Sequence, residues 1–157
     1  MEKPRTESNL RRYHAVVEQA LANLGVNPPD CVGDVPGSWL VRKGSASLTV
    51  EVYEHEQTQV VYCRVYCPIM QIPEKGTSEL FCELLELNMD YVGITFGINS
   101  GWVYLKSDRE ADGMDVNELY YMVTRIGNLS DHYDDILQEK YQTGDPANKP
   151  APPRPIN

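Results

Sequence analysis

TSELFCELLELNMDYVGITFGINSGWVYLKSDREADGMDVNELYYMVTRIGNLSDHYDDILQEKY, residues Thr77–Tyr141, reads as helix, hairpin, helix. Leu80, Leu84 and Leu87 recur at helical spacing, with Phe81 beside them, which predicts a helix over 78–90 with that stripe inward. VGITFGI and WVYLKS are short runs joined by Asn99-Ser100-Gly101, a hairpin turn. Asp115 and Glu118 form the acidic variant of a capping box, so the last helix starts there. Val116, Leu119, Val123, Ile126, Tyr133 and Leu137 carry its apolar stripe to the end.

Upstream, Leu10, Tyr13, Val17, Ala20, Leu21 and Leu24 mark one face of a first helix. Thr6 or Ser8 is placed to cap it, and Gly25 to end it. Asn27–Gly37 is dense in Pro and Gly and reads as a loop. Three strands follow, at Ser38–Lys43, Ser47–His55 and Thr58–Met70. In the second, Leu48, Val50 and Val52 share one face, with Thr49, Glu51 and Tyr53 opposite. In the third, Val61, Cys63, Val65 and Cys67 share a face, opposite Val60, Tyr62, Arg64 and Tyr66, and Pro68 marks a bulge or the strand's end. The order is α-β-β-β-α-β-β-α. Its short turns make an α+β sandwich of a mostly antiparallel sheet with helices on one face. Residues 1–141 form one domain. The segment 142–157, with five prolines among its last twelve residues, reads as a disordered or extended tail.

The 157 residues carry a formal net charge of −9, which argues against direct binding to nucleic acid. No apolar run approaches the roughly 18 residues that span a bilayer. The N-terminus lacks the apolar core of a signal peptide. The expectation is a cytoplasmic protein that neither enters a membrane nor forms disulfides with its four cysteines.

Candidate chemistry fails on spacing. Cys63 and Cys67 lie four residues apart in a strand, about 13 Å at roughly 3.3 Å per residue, too far to share one zinc or one disulfide. The cysteines therefore read as core thiols. Asp108–Asp115 begins like a calcium loop, but Leu119 stands where the bidentate Glu is needed. Asp131, His132, Asp134 and Asp135 cluster without a nucleophile at helical spacing. No catalytic, cofactor or metal residue is assigned. The alternative to a binding protein is a small-molecule or metal-binding regulator, or a cryptic enzyme, that uses 108–115 or 131–135.

The aromatic balance is more telling, with ten tyrosines and two tryptophans against two phenylalanines. Tyr53, Tyr62, Arg64 and Tyr66 fall on the sheet face opposite the aliphatic set. Tyrosine is enriched at interfaces, so this face reads as a partner-binding surface. The competing expectation is that the first helix covers it.

The motifs LLELNMDYVGITFGI, Asp112-Gly113-Met114-Asp115 and Tyr133-Asp134-Asp135-Ile136-Leu137 resemble those of YbjN-like proteins. The element order is similar to that of class I type III secretion chaperones, the CesT-like fold, over most of residues 7–141. The resemblance implies a non-enzymatic homodimer, chaperone-like or regulatory, that binds a segment of another protein. It also implies a dimer contact through the second helix and the strands beside it, here Phe81, Leu84, Leu85, Met89 and Phe96. It supplies no cofactor and no catalytic residue.

Overall fold

The computed structural model describes residues 4–141 and Pro152. Helix α1 (Pro4–Asn23) leads through a four-residue 3-10 turn to strands β1 (Ser38–Lys43), β2 (Ala46–Glu54) and β3 (Val61–Gln71). Helix α2 (Thr77–Asp90), the hairpin β4 (Thr95–Asn99) and β5 (Trp102–Glu110), and helix α3 (Val116–Tyr141) complete it. The expected order and the antiparallel α+β architecture are both present. The five strands lie in the order β1-β2-β3-β5-β4, every neighbouring pair antiparallel.

Boundaries differ where local chemistry decides. Helix α1 extends back to Pro4, ahead of the expected Ser or Thr cap, because proline's fixed φ suits the first turn. It ends as expected: Gly25 has φ +80°, and Val26 N–H reaches back to Leu21 O at 3.1 Å, closing a Schellman motif. Strand β3 begins at Val61, not Thr58. Gln59 takes φ +56° in a turn where its N–H bonds His55 O. Pro68 marks a bulge and not the strand's end, since the pairing with β5 shifts between Pro68 and Met70 and then continues to Gln71. The capping box at α3 is formed: Asp115 N–H donates to Glu118, and Glu118 N–H donates to Asp115. The Asp115 N–H, ahead of Arg109, holds the Glu118 carboxyl below its usual range. The expectation for 142–157 lies, Pro152 apart, outside the described residues.

The core lies on one side of the sheet. Val41, Leu48, Val50, Val52, Cys63, Val65, Val103 and Leu105 point to it. Helix α1 adds Val17, Ala20 and Leu21, α2 adds Leu80 and Leu84, and α3 adds Leu119, Val123, Ile126 and Leu137. Phe81, Leu87, Val116 and Tyr133 pack partly buried against this cluster. Helix α3 lies across β2, β3 and β5, α1 against α3 and β2, and α2 along β4. Trp39 of β1 meets His14 of α1 edge-on at 5.2 Å on this same side. The first helix therefore leaves the tyrosine face uncovered, and the expectation that it lies there is overturned. Covering both sides would have needed a second apolar stripe that α1 does not carry.

Helix α2 also closes the sheet edge at β4. Asn88 Oδ1 accepts from Phe96 N–H at 2.7 Å, and its Nδ2 donates to Phe96 O at 3.1 Å. One side chain thus satisfies the outward-facing donor and acceptor of an edge-strand residue that would otherwise pair with another chain.

The open sheet face and the α2 surface

On the uncovered side, register sets the side chains in rows. Tyr53 lies opposite Tyr62, Glu51 opposite Arg64, and Thr49 opposite Tyr66 across β2 and β3. Across β3 and β5, Arg64 lies opposite Asp108, Tyr66 opposite Lys106, and Pro68 opposite Tyr104. The four residues expected on this face, Tyr53, Tyr62, Arg64 and Tyr66, are therefore brought together. Period-2 alternation was enough to find them.

A charged belt crosses the middle of the face. Arg64 Nε donates to Asp108 at 2.5 Å, and its Nη2 donates to the Tyr53 hydroxyl at 2.6 Å. Lys106 Nζ reaches the other Asp108 oxygen at 2.6 Å. The guanidinium also lies 4.7 Å from the centre of the Tyr53 ring, within cation–π range. Glu51 is buried in the same row. Two acids and two bases thus share a half-dry strip, so the belt adds little net charge despite the chain's acidity. Burial raises the Tyr53 hydroxyl, against the pull of Arg64.

Aromatic zones flank the belt. At one end Tyr53 and Tyr62 stack at 5.9 Å, the interplanar angle being 26°. At the other, Tyr66, Trp102 and Tyr104 form a second buried cluster, separate from the main core, although no helix lies on this side of the sheet. Tyr66 and Tyr104 meet near edge-to-face at 6.3 Å. Burial, then the neighbouring Tyr66, pushes the Tyr104 hydroxyl up to about 12, so it stays protonated and able to donate a hydrogen bond. Beside this zone a groove of about 290 Å³ runs past Val35, Leu40, Thr49, Tyr66, Pro68 and Tyr104. Trp102 and Tyr104 belong to this surface, and sequence reading did not single them out. The β3–β5 pairing that carries them beside Tyr66 is not a property of either strand alone.

The residues expected at a dimer contact separate into two groups. Leu84 and Phe96 are buried in the core, and Phe81 is half-buried against it. Leu85 and Met89, one turn apart on α2, expose 66% and 87% of their surface. Ile98, on the strand that α2 packs along, is also exposed. The free apolar part of the expected contact is therefore Leu85 and Met89.

The acidic segments have structural tasks. Asp108 serves Arg64 and Lys106, Asp112 pairs with Arg12 at 3.0 Å, and Glu118 pairs with Arg109 at 2.7 Å. Asp131 accepts from the Ser45 hydroxyl at 2.5 Å and from its N–H at 3.2 Å, fixing the β1–β2 turn to α3. Asp134 accepts from Gln138, and His132 meets Tyr133 edge-on at 5.0 Å. Asp131, His132 and Asp134 thus engage separate neighbours. Cys63 and Cys67 are core thiols, pushed up to about 12 and about 11 by burial. Cys82 is a correction: it is exposed on α2. Its position, two residues past Leu80, turns it off the buried stripe.

The chain superposes on a structure described as the HopA1–SchA chaperone–effector complex with a TM-score of 0.63 at 15% identity, over 84% of this chain and 99% of that one. It superposes on one from the ExsC–ExsE complex with a TM-score of 0.59 at 13% identity, over 86% and 97%. A third match, from the ExoU–SpcU complex of the Pseudomonas aeruginosa type III secretion system, gives 0.57 at 13% identity, over 76% and 96%. Comparison with curated proteins gives no match. The family model described as type III secretion (YopN, CesT) and YbjN peptide-binding chaperone 1 matches residues 11–146. With the sandwich, its one-sided helices and a family match across most of its length, this chain belongs to the peptide-binding chaperones of type III secretion and YbjN-like proteins.

Proposed function

We propose that this chain is a non-enzymatic, homodimeric chaperone that holds an extended segment of a partner protein on the open sheet face. The observation that carries this reading is the sheet face that none of the three helices covers: a half-buried Tyr53–Tyr62 stack, a charged belt and a groove beside the buried Tyr66–Tyr104 pair. Aromatic rings supply apolar area at low entropic cost, and the belt supplies donors and acceptors that set register. The sheet holds its own backbone groups in ladders, so the face selects by side chain. The dimer contact is the Leu85–Met89 face of α2, and the protein works in the cytoplasm. Among the described residues no helix is long and apolar enough to cross a membrane.

Two measurements test this. Light scattering gives a mass twice the 17.8 kDa chain, and Leu85→Asp lowers it to one chain. A monomer across the micromolar range removes the dimer, and an unchanged variant mass moves the contact elsewhere. Affinity capture from the native cell with the full chain recovers a protein that Tyr62→Ala, with its fold checked by circular dichroism, no longer retains. Equal recovery by both forms refutes the open face as the binding surface.

A further inference from the structure

One described residue of the C-terminal segment has a place in the fold. Pro152 lines the groove beside Tyr66 and Tyr104, with Leu40, Val35 and Pro68 around it. It comes from the sequence Lys149-Pro-Ala-Pro-Pro-Arg-Pro155. We infer that this segment is a ligand of the groove in cis: the chain's own proline-rich end occupies the aromatic zone, and an incoming partner segment must displace it. The inference rests on the reading of the open face as a peptide-binding surface.

The chemistry of groove and segment agrees at three points. First, a sheet face, unlike a sheet edge, offers no free backbone donors or acceptors. A ligand there loses the hydration of its own N–H groups without replacement, and proline has none to lose. Second, proline-rich segments favour the polyproline II form, with three residues per turn, so residues three apart share a side. Pro152 and Pro155 share one side in that form, and Pro150 and Pro153 another. Such a segment is partly ordered before it binds, which lowers the entropy lost on docking against aromatic rings. Third, the only formally charged residue lining the groove, among the described residues, is Asp34, while the segment carries Lys149 and Arg154. In a chain of net charge −9, a cationic end is drawn to an acidic rim. Ten residues separate Tyr141 from Pro152, a tether short enough to hold the segment at an effective concentration in the millimolar range.

The test keeps the full chain and changes first the ligand and then the groove. A synthetic peptide of residues 147–157 is titrated into the wild type and into a Pro152→Asp/Pro155→Asp form, with binding read from amide chemical shifts. The substituted chain binds the free peptide at least about tenfold more tightly, because its own end no longer competes. Shifts concentrate at Leu40, Thr49, Tyr66 and Tyr104. Adding Leu40→Asp, at an exposed position, to the substituted chain removes that binding. Equal affinities for the two chains overturn the inference, as does no binding up to millimolar peptide. A difference between the two chains' spectra that fades on dilution also overturns it, by assigning the occupant to a second copy's tail. Failure here leaves the partner-capture result with Tyr62→Ala untouched, so the two readings fall separately.

Discussion

Replacing Asn88 by alanine isolates the joint between α2 and the sheet edge. The substitution removes two hydrogen bonds, of 2.7 and 3.1 Å, and adds no volume. Each such bond contributes about 0.5–1.5 kcal/mol net, and a buried polar group left unpaired costs about 1–3 kcal/mol. The site is part-buried, so water restores some of the loss, and the expected destabilisation is about 1–2.5 kcal/mol. For a chain of this length that lowers the melting temperature by roughly 2–10 °C, since 1 kcal/mol corresponds to about 2–4 °C. Urea denaturation measures the free energy, and hydrogen exchange reads the site directly: the Phe96 amide loses its protection while those of β2 and β3 keep theirs. Asn88→Asp falls between, since it keeps an acceptor for Phe96 N–H but sets an oxygen against Phe96 O. A change below about 0.5 kcal/mol, or an unaltered Phe96 amide, would refute the view that this side chain seals the edge.

Thiol labelling under native conditions should modify Cys82 first and Cys31 more slowly, leaving Cys63 and Cys67 untouched until denaturant is added; mass spectrometry counts the labels, and early modification of Cys67 would contradict its burial. Hydrogen bonds from the Ser45 hydroxyl and then its N–H hold the Asp131 carboxyl below its ordinary 3.8. A lowered folded-state value stabilises the protein above the unfolded value, and that contribution is lost as pH falls through the folded one. Asp131→Asn should therefore be less stable than the wild type at neutral pH, and the gap should close below about pH 3.8; a pH-independent gap would mean that the charge contributes nothing.

Local signals were the readable part. Alternation in β2 and β3 told which residues share a face, and the capping box at Asp115 placed the start of α3 to within a residue. Nothing local told which face the helices cover, because that depends on how α1 packs back onto α3. The dimer set shows the same limit. Leu84 and Leu85 are neighbours of similar hydrophobicity, yet one is buried and the other 66% exposed. Helical spacing separated them correctly, while the resemblance, which carries no account of this core, grouped them. Phe96 was grouped with them too, although its ring packs edge-on against Tyr133 at 5.2 Å. The strand-to-strand neighbours of Tyr66 were hidden for a similar reason: Trp102 and Tyr104 arrive from a hairpin more than thirty residues away, through a register that Pro68 shifts.

The one-sidedness of the sheet bears on how such proteins diverge. Residues under the helices answer to volume and apolarity, demands that many sequences meet. Residues on the other side answer to a different set of neighbours, the belt around Arg64 and the Tyr66–Trp102–Tyr104 cluster. Because the two sets alternate along the same strands, every second position stands under a constraint separate from that of its neighbours. The chain shares its fold with solved structures at 13–15% identity and TM-scores of 0.57–0.63, so the shape is kept where few letters are shared. Within the family, substitutions should run fastest on the side that faces outward.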